Sequence, residues 1–249
     1  MKIQGKNGYS IDVKTFIPND CENIVIACHG FGGDKESSAI TLLANKIKGD
    51  KIGVITFDFP GHGKSEVEAD KLTLDNCISD LETIEEYARS KFPNAKIGIF
   101  ATSFGAYITL LKINRNGHQY ASIVLRAPAI CMDEILKNAI LTEAIEKYKE
   151  KGYAILGYDR EMKVPYKYYE ELLDNKLFDI YSANEEILAI QGTKDDMAPI
   201  EDTIRFIVEK NTKANLIKIE GADHRMKKDG ELEKVINFAR EYIIKCMKK

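Results

Sequence analysis

No stretch of eighteen consecutive apolar residues occurs in the 249-residue chain, so nothing in it reads as a membrane span. The opening Met1-Lys2-Ile3-Gln4-Gly5-Lys6 lacks the apolar core of a secretory signal. The five cysteines, at 21, 28, 77, 131 and 246, are odd in number and form no Cys-x-x-Cys pair. That excludes a disulfide framework and a redox motif, and fits reduced thiols in a cytoplasmic protein. Of the four histidines (29, 62, 118 and 224) no two stand at the i, i+4 spacing of a zinc helix, so no metal is expected. Neither Gly-x-Gly-x-x-Gly nor a P-loop follows a strand-like run, and no cofactor is implied. Charge of one sign is missing as well. Lys and Arg total 36 against 39 Asp and Glu, a net charge of -3, which argues against a nucleic-acid partner.

What is present is a foldable α/β pattern. With 44% hydrophobic residues the chain has enough apolar surface for a sizeable core, and it carries neither an internal repeat nor a flexible linker. Residues 2–6 and 9–17 read as a hairpin around Asn7-Gly8. Short apolar runs at Asn23–Cys28, Gly53–Phe57, Ile97–Ala101, Ser122–Leu125, Ile187–Ile190 and Leu216–Ile219 read as strands buried on both faces. Between them, Ser37–Ile47, Leu74–Phe92, Phe104–Asn114, Ile200–Lys210 and Glu231–Met247 repeat apolar residues at helical spacing. The alternation predicts one α/β domain over 1–249, an eight-stranded mostly parallel sheet flanked by helices. Residues 131–184 interrupt the rhythm after the sixth strand. They read as helical at first (Asp133–Glu150), with no strand, and hold seven of the twelve tyrosines: 148, 153, 158, 166, 168, 169 and 181. A lid over the site is the favoured reading of this insertion, a separate decoration the other.

Four motifs carry chemistry. Ala101-Thr102-Ser103-Phe104-Gly105 stands between a strand and a helix, where a sharp turn would expose the Ser103 hydroxyl and small flanking residues permit close packing. His29-Gly30-Phe31-Gly32-Gly33-Asp34 follows a buried strand; its freed amides could hold an oxyanion, with Phe31 N–H and Phe104 N–H as donors. Gly192-Thr193-Lys194-Asp195 and Gly221-Ala222-Asp223-His224 each follow a late strand. A serine hydroxyl near neutral pH needs a base, and the base needs an orienting acid; His224 and Asp195 supply these at strand C-terminal ends. Asp196, Asp133 and Asp223 are rival acids. His29 reads as bonding within its own loop, His62 as loop-shaping between two glycines, His118 as solvated and Cys28 as packing. Arg126, ending a strand, calls for a carboxylate partner.

The order Ser103, Asp195, His224 behind His29-Gly30-Phe31-Gly32, with Asp58-Phe59-Pro60-Gly61-His62-Gly63-Lys64-Ser65 as a further match, resembles the α/β-hydrolase superfamily over nearly the whole chain. The single insertion and the His-Gly-Phe turn are similar to small bacterial esterases that include cinnamoyl (feruloyl) esterases. Monoglyceride-lipase-like and serine-aminopeptidase-like members share much of the pattern. The sequence departs from it at Ala101 and Thr102, where Gly and His or Glu are commoner. The resemblance implies a serine carboxylic ester hydrolase acting through an acyl-enzyme on a small-molecule ester, aromatic or short-chain. Tyr166, Tyr168 and Tyr169 are the insertion residues expected to contact it, packing onto the main domain being the other reading of these rings. An amide-cleaving peptidase and a ligand-binding protein without turnover remain alternatives. A homodimer stays open as an assembly; no membrane or nucleic-acid partner is expected.

Overall fold

The computed structural model describes residues 1–140, 145–157 and 160–249. Its main sheet has eight strands in the order β1-β2-β4-β3-β5-β6-β9-β10. These are β1 (Lys2–Gln4), β2 (Ser10–Phe16), β3 (Asn23–Cys28), β4 (Ile52–Phe57), β5 (Ile97–Thr102), β6 (Ser122–Arg126), β9 (Ile187–Gly192) and β10 (Ala214–Ile219). β1 and β2 form the antiparallel hairpin expected from Asn7-Gly8, with Gly8 at φ +83°, and β2 runs antiparallel to β4. All other pairings are parallel.

Alternation along the strands splits the core into two layers. In β3, Ile24, Ile26 and Cys28 join one apolar cluster while Val25 and Ala27 join the other. Helices α1 (Ser38–Ile47) and α9 (Glu231–Met247) cover the second cluster; α2 (Leu74–Lys91) and α3 (Phe104–Asn116) cover the first, and α8 (Ile200–Glu209) adds Phe206 to it. The helices begin and end within two residues of the sequence periodicity. The strands run slightly longer than their apolar runs because polar residues end them: Thr102, Arg126 and Gln191 all belong to strands.

The chain turns to one side of β3 to make β4, then to the other to make β5. This reversal opens a crevice at the carboxyl ends of β3 and β5, where an open α/β sheet places its site.

Residues between β6 and β9 make a small layer of their own: α4 (Met132–Ile140), α5 (Ile145–Lys151), β7 (Tyr153–Leu156), β8 (Met162–Pro165), α6 (Tyr166–Asp174) and α7 (Leu177–Ile180). The strandless insertion expected from the sequence is corrected here. β7 and β8 pair antiparallel, Tyr153 opposite Pro165 and Leu156 opposite Met162. Four-residue strands with one buried face are too short for a two-residue period to stand out. Arg160 fastens the hairpin to the loop after β4, donating to the Gly63 and Ser65 carbonyls (3.2 and 3.0 Å) and pairing with Glu68 at 2.8 Å. Tyr158 lies outside the described residues. No helix among those described is long and apolar enough to cross a membrane.

Candidate active site

Ser103 occupies the turn from β5 into α3 at φ 50° and ψ -111°, a region that costs a non-glycine residue about 1–3 kcal/mol. The surroundings hold it there. Its amide donates to the Arg126 carbonyl at 2.9 Å, and its own carbonyl accepts from Ala106 and Tyr107. Gly105 is required by close approach: a Cβ there would sit 2.6 Å from the His29 carbonyl oxygen and 2.8 Å from the Cys28 Cβ. Gly30 would likewise bring a Cβ to 3.3 Å from that of Ser103. The glycine-rich turn and the serine turn are therefore packed against each other, as their chemistry requires.

The other half of the site comes from the loops after β9 and β10. A Cβ on Gly192 would lie 2.2 Å from the Ala222 carbonyl oxygen, so the two loops are in backbone contact. Lys194 N–H donates to Ala222 and Thr193 N–H to Ile219, both at 3.0 Å. This contact sets His224 Nδ1 2.9 Å from each Asp195 carboxylate oxygen and Nε2 3.1 Å from Ser103 Oγ. A carboxylate can only accept, so the Nδ1 proton points at Asp195 and the Nε2 lone pair at the serine hydroxyl. Asp195 is itself held by the Ala198 and Met197 amides (2.8 and 3.2 Å) and by the Gln191 side-chain amide (3.3 Å). All three side chains are buried, between 7% and 9% exposed.

The three rival acids sit elsewhere. Asp133 pairs with Lys176 at 3.1 Å, Asp223 accepts the Met226 and Lys227 amides, and Asp196 is exposed. The Phe31 and Phe104 amides make no hydrogen bond among the described residues, which leaves both available beside Ser103.

His29 donates from Nδ1 to Gly30 O (2.8 Å) and accepts the Phe59 amide at Nε2 (3.1 Å); burial lowers its pKa. His62 donates to Pro60 O and stacks on Phe104; burial pushes it down to about 3, so it stays neutral. Cys28 is fully buried, and burial raises its thiol pKa well above the ordinary range, as suits a packing residue. Two expectations need correction. His118 is mostly buried: its ring stacks on Tyr120, accepts the Tyr120 amide at Nδ1 (2.9 Å) and sets Nε2 3.0 Å from Glu185. Among the described residues Arg126 has no carboxylate hydrogen-bonded to it: its Nη2 donates to the backbone carbonyls of His224 (3.2 Å) and Arg225 (3.0 Å). Asp195 and Asp223 act on it through space, but burial dominates and lowers its pKa to about 10.

Ser103 and His224 open into a cavity of about 610 Å³. Its apolar lining comes from the insertion: Met132, Ile135, Leu136 and Ala139 repeat at i, i+3, i+4 and i+7 along α4, and Ile155 and Leu156 come from β7. Phe31 from the glycine-rich turn, Ala39 from α1 and Met197 from the loop after β9 complete it. The described tyrosines do not line it. Tyr166, Tyr169 and Tyr148 pack on one another (ring centroids 5.0–6.3 Å apart), and fully buried Tyr168 stacks behind Phe31 at 6.4 Å. Their rings build the insertion's own core, which composition cannot distinguish from a binding surface. Among the described lining residues there is no carboxylate. No group of three or more His, Cys, Asp and Glu among the described residues is placed to hold a metal ion.

Sequence reasoning missed Gln191 and, although it singled out Arg126, missed that residue's contact with the His224 loop. The signal was a polar side chain ending an otherwise apolar strand.

The chain is similar to a monoglyceride lipase homolog of Monkeypox virus, 22% identical over 232 residues and covering 83% of each chain. It is also similar to the proline iminopeptidase PfmaB of Pestalotiopsis fici, 24% identical over 260 aligned positions, covering 88% of this chain and 90% of the other. Among solved structures, ferulic-acid-bound Est1E from Butyrivibrio proteoclasticus superposes with a TM-score of 0.84 at 20% identity, each chain covered completely. That likeness establishes the α/β-hydrolase fold. The family described as serine aminopeptidase, S33, matches residues 19–154, more than half of the chain. The chain belongs to that family of α/β-hydrolases.

Proposed function

We propose that this hydrolase cleaves carboxylic esters through an acyl-enzyme on Ser103. The observation that carries the reading is the continuous path from Asp195 through His224 to the Ser103 hydroxyl, with the hydroxyl facing the cavity. In this mechanism Ser103 Oγ attacks the ester carbonyl as His224 Nε2 takes its proton. Asp195 holds the imidazole in the required tautomer and stabilises the imidazolium. The Phe31 and Phe104 amides receive the developing oxyanion. The imidazolium then protonates the leaving alcohol, and water releases the acyl group by the same proton route in reverse.

The insertion serves as a lid whose α4 stripe and β7 residues hold the acyl chain. An aliphatic acyl group suits that surface best; a feruloyl or cinnamoyl group is the second reading, supported by the Phe31 ring at the wall. An aminopeptidase must hold a protonated amino terminus, and the described lining offers no carboxylate for it. That favours ester over aminoacyl amide.

The test is a panel of p-nitrophenyl acetate, butyrate, hexanoate and ferulate beside alanine p-nitroanilide. Turnover of the esters without the anilide is expected, and Ser103→Ala should lower kcat on the best ester by at least ~10⁴-fold. Anilide-only turnover, or near-full activity in Ser103→Ala, contradicts the proposal.

A further inference from the structure

Part of the cavity lining differs from the apolar surface that the insertion supplies. Arg126 belongs to it although only 6% of the residue is exposed. Among the described residues both of its hydrogen bonds come from Nη2 and go to neutral backbone carbonyls, while Nε is buried without a partner there. Burying a guanidinium without a hydrogen-bonded counter-charge is costly. The two nearby carboxylates are already committed, Asp195 to His224 and Asp223 to the Met226 and Lys227 amides.

The second feature is the start of α1. Ser37, Ser38 and Ala39 line the same cavity. The N-cap Ser37 makes no side-chain cap bond, and the first turn of this ten-residue helix carries no acidic residue. Its end therefore presents free amides and the positive end of the helix dipole to the cavity. The features are connected: Arg126 bonds the Arg225 carbonyl, and Arg225 shares the wall of a neighbouring cleft with Ser38. A guanidinium short of an anion and an uncapped helix start thus line one cavity with the Ser103 hydroxyl, and no described carboxylate opposes them.

We propose that Arg126 and the N-terminus of α1 form an anion subsite, and that the preferred esters carry a free carboxylate. The inference rests on the ester-hydrolase reading and narrows its substrate class. The carboxylate would take donors from Arg126 and the α1 amides while the ester carbonyl sits at Ser103.

Two pairs of esters test it, each matched in carbon count or differing only in a masked charge. p-Nitrophenyl hydrogen adipate against p-nitrophenyl hexanoate places the carboxylate on the acyl side. 4-Butyryloxybenzoate against its methyl ester places it on the alcohol side. A kcat/KM advantage of about tenfold or more for the anion is expected in one pair. Arg126→Gln should bring that ratio close to one. The ratio is the readout because any loosening of the His224 loop slows both members of a pair alike. Ser38→Asp, which puts a negative charge at an exposed position that favours helix stability, should also lower it severalfold. Anion ratios at or below one in both pairs overturn the subsite, as does an advantage that survives both substitutions. Efficient hydrolysis of the neutral esters alone overturns the subsite while leaving the ester-hydrolase reading intact. Calorimetric binding of monomethyl adipate to Ser103→Ala, weakened at least about tenfold by adding Arg126→Gln, measures the subsite without turnover; no binding contradicts it.

Discussion

The sheet loops and the insertion line the same cavity by different physical means. On the sheet side the polar groups are held by backbone contacts that tolerate no side chain, at Gly105 and Gly192, and by hydrogen bonds converging on Asp195. On the insertion side the surface is an aliphatic stripe on α4 and one strand of a short hairpin, with Ile155 still 52% exposed. Chemistry that depends on tenths of an ångström belongs on the first kind of support. The second kind can change its side chains without disturbing the first, so reaction type and acyl-chain preference are separable.

Substitutions can break or sharpen that separation. The largest effect is expected on the sheet side. Asp195→Asn keeps the shape of the side chain but removes the charge that fixes the His224 tautomer, and should lower kcat by about 10⁴-fold, equally for short and long acyl esters. A loss that depends on chain length would show that the two walls are coupled. A smaller effect, of a different kind, is expected from the insertion. Ile135→Ala removes part of the α4 stripe and should cut kcat/KM for p-nitrophenyl hexanoate about tenfold relative to acetate, with acetate turnover little changed. An equal loss on both esters would mean that α4 also supports the chemistry.

The smallest effect should come from a group on neither wall. Asp80, buried in α2, accepts the Tyr9 hydroxyl at 3.0 Å, and burial pushes its carboxyl up to about 7. The folded state therefore retains a proton that the unfolded chain releases near 3.8. Stability from this group is full below about pH 4, declines as pH rises to about 7, and is level above. Asp80→Asn should flatten that decline and raise the unfolding free energy more at pH 8 than at pH 5, by on the order of 1 kcal/mol, with the acyl preference unchanged. An equal shift at both pH values would contradict the assignment.

The same contrast explains what could be read from the residues alone. The sheet was legible because strands buried on both faces are continuous apolar runs, and the helices kept a 3.6-residue period. Ser103, Asp195 and His224 were legible because each sits just past such a strand. Arg126 and Gln191 announced only that a polar group ended a strand; what they bond depends on loops nearly a hundred residues away or across a turn. The insertion was least legible. Its hairpin is short, and Tyr166, Tyr168 and Tyr169 offer rings that suit a ligand and a core equally well. Only their partners, which are chiefly other rings of the insertion, decide between the two.

The central claim is that Ser103 is the one activated nucleophile, driven by His224 and Asp195. Incubation with a fluorophosphonate, followed by intact-mass measurement and peptide mapping, tests it most directly. One adduct per chain is predicted, located on Ser103, formed in step with loss of ester turnover and greatly slowed in His224→Ala. An adduct on another residue, or rapid labelling of Ser103 that persists without His224, would contradict it.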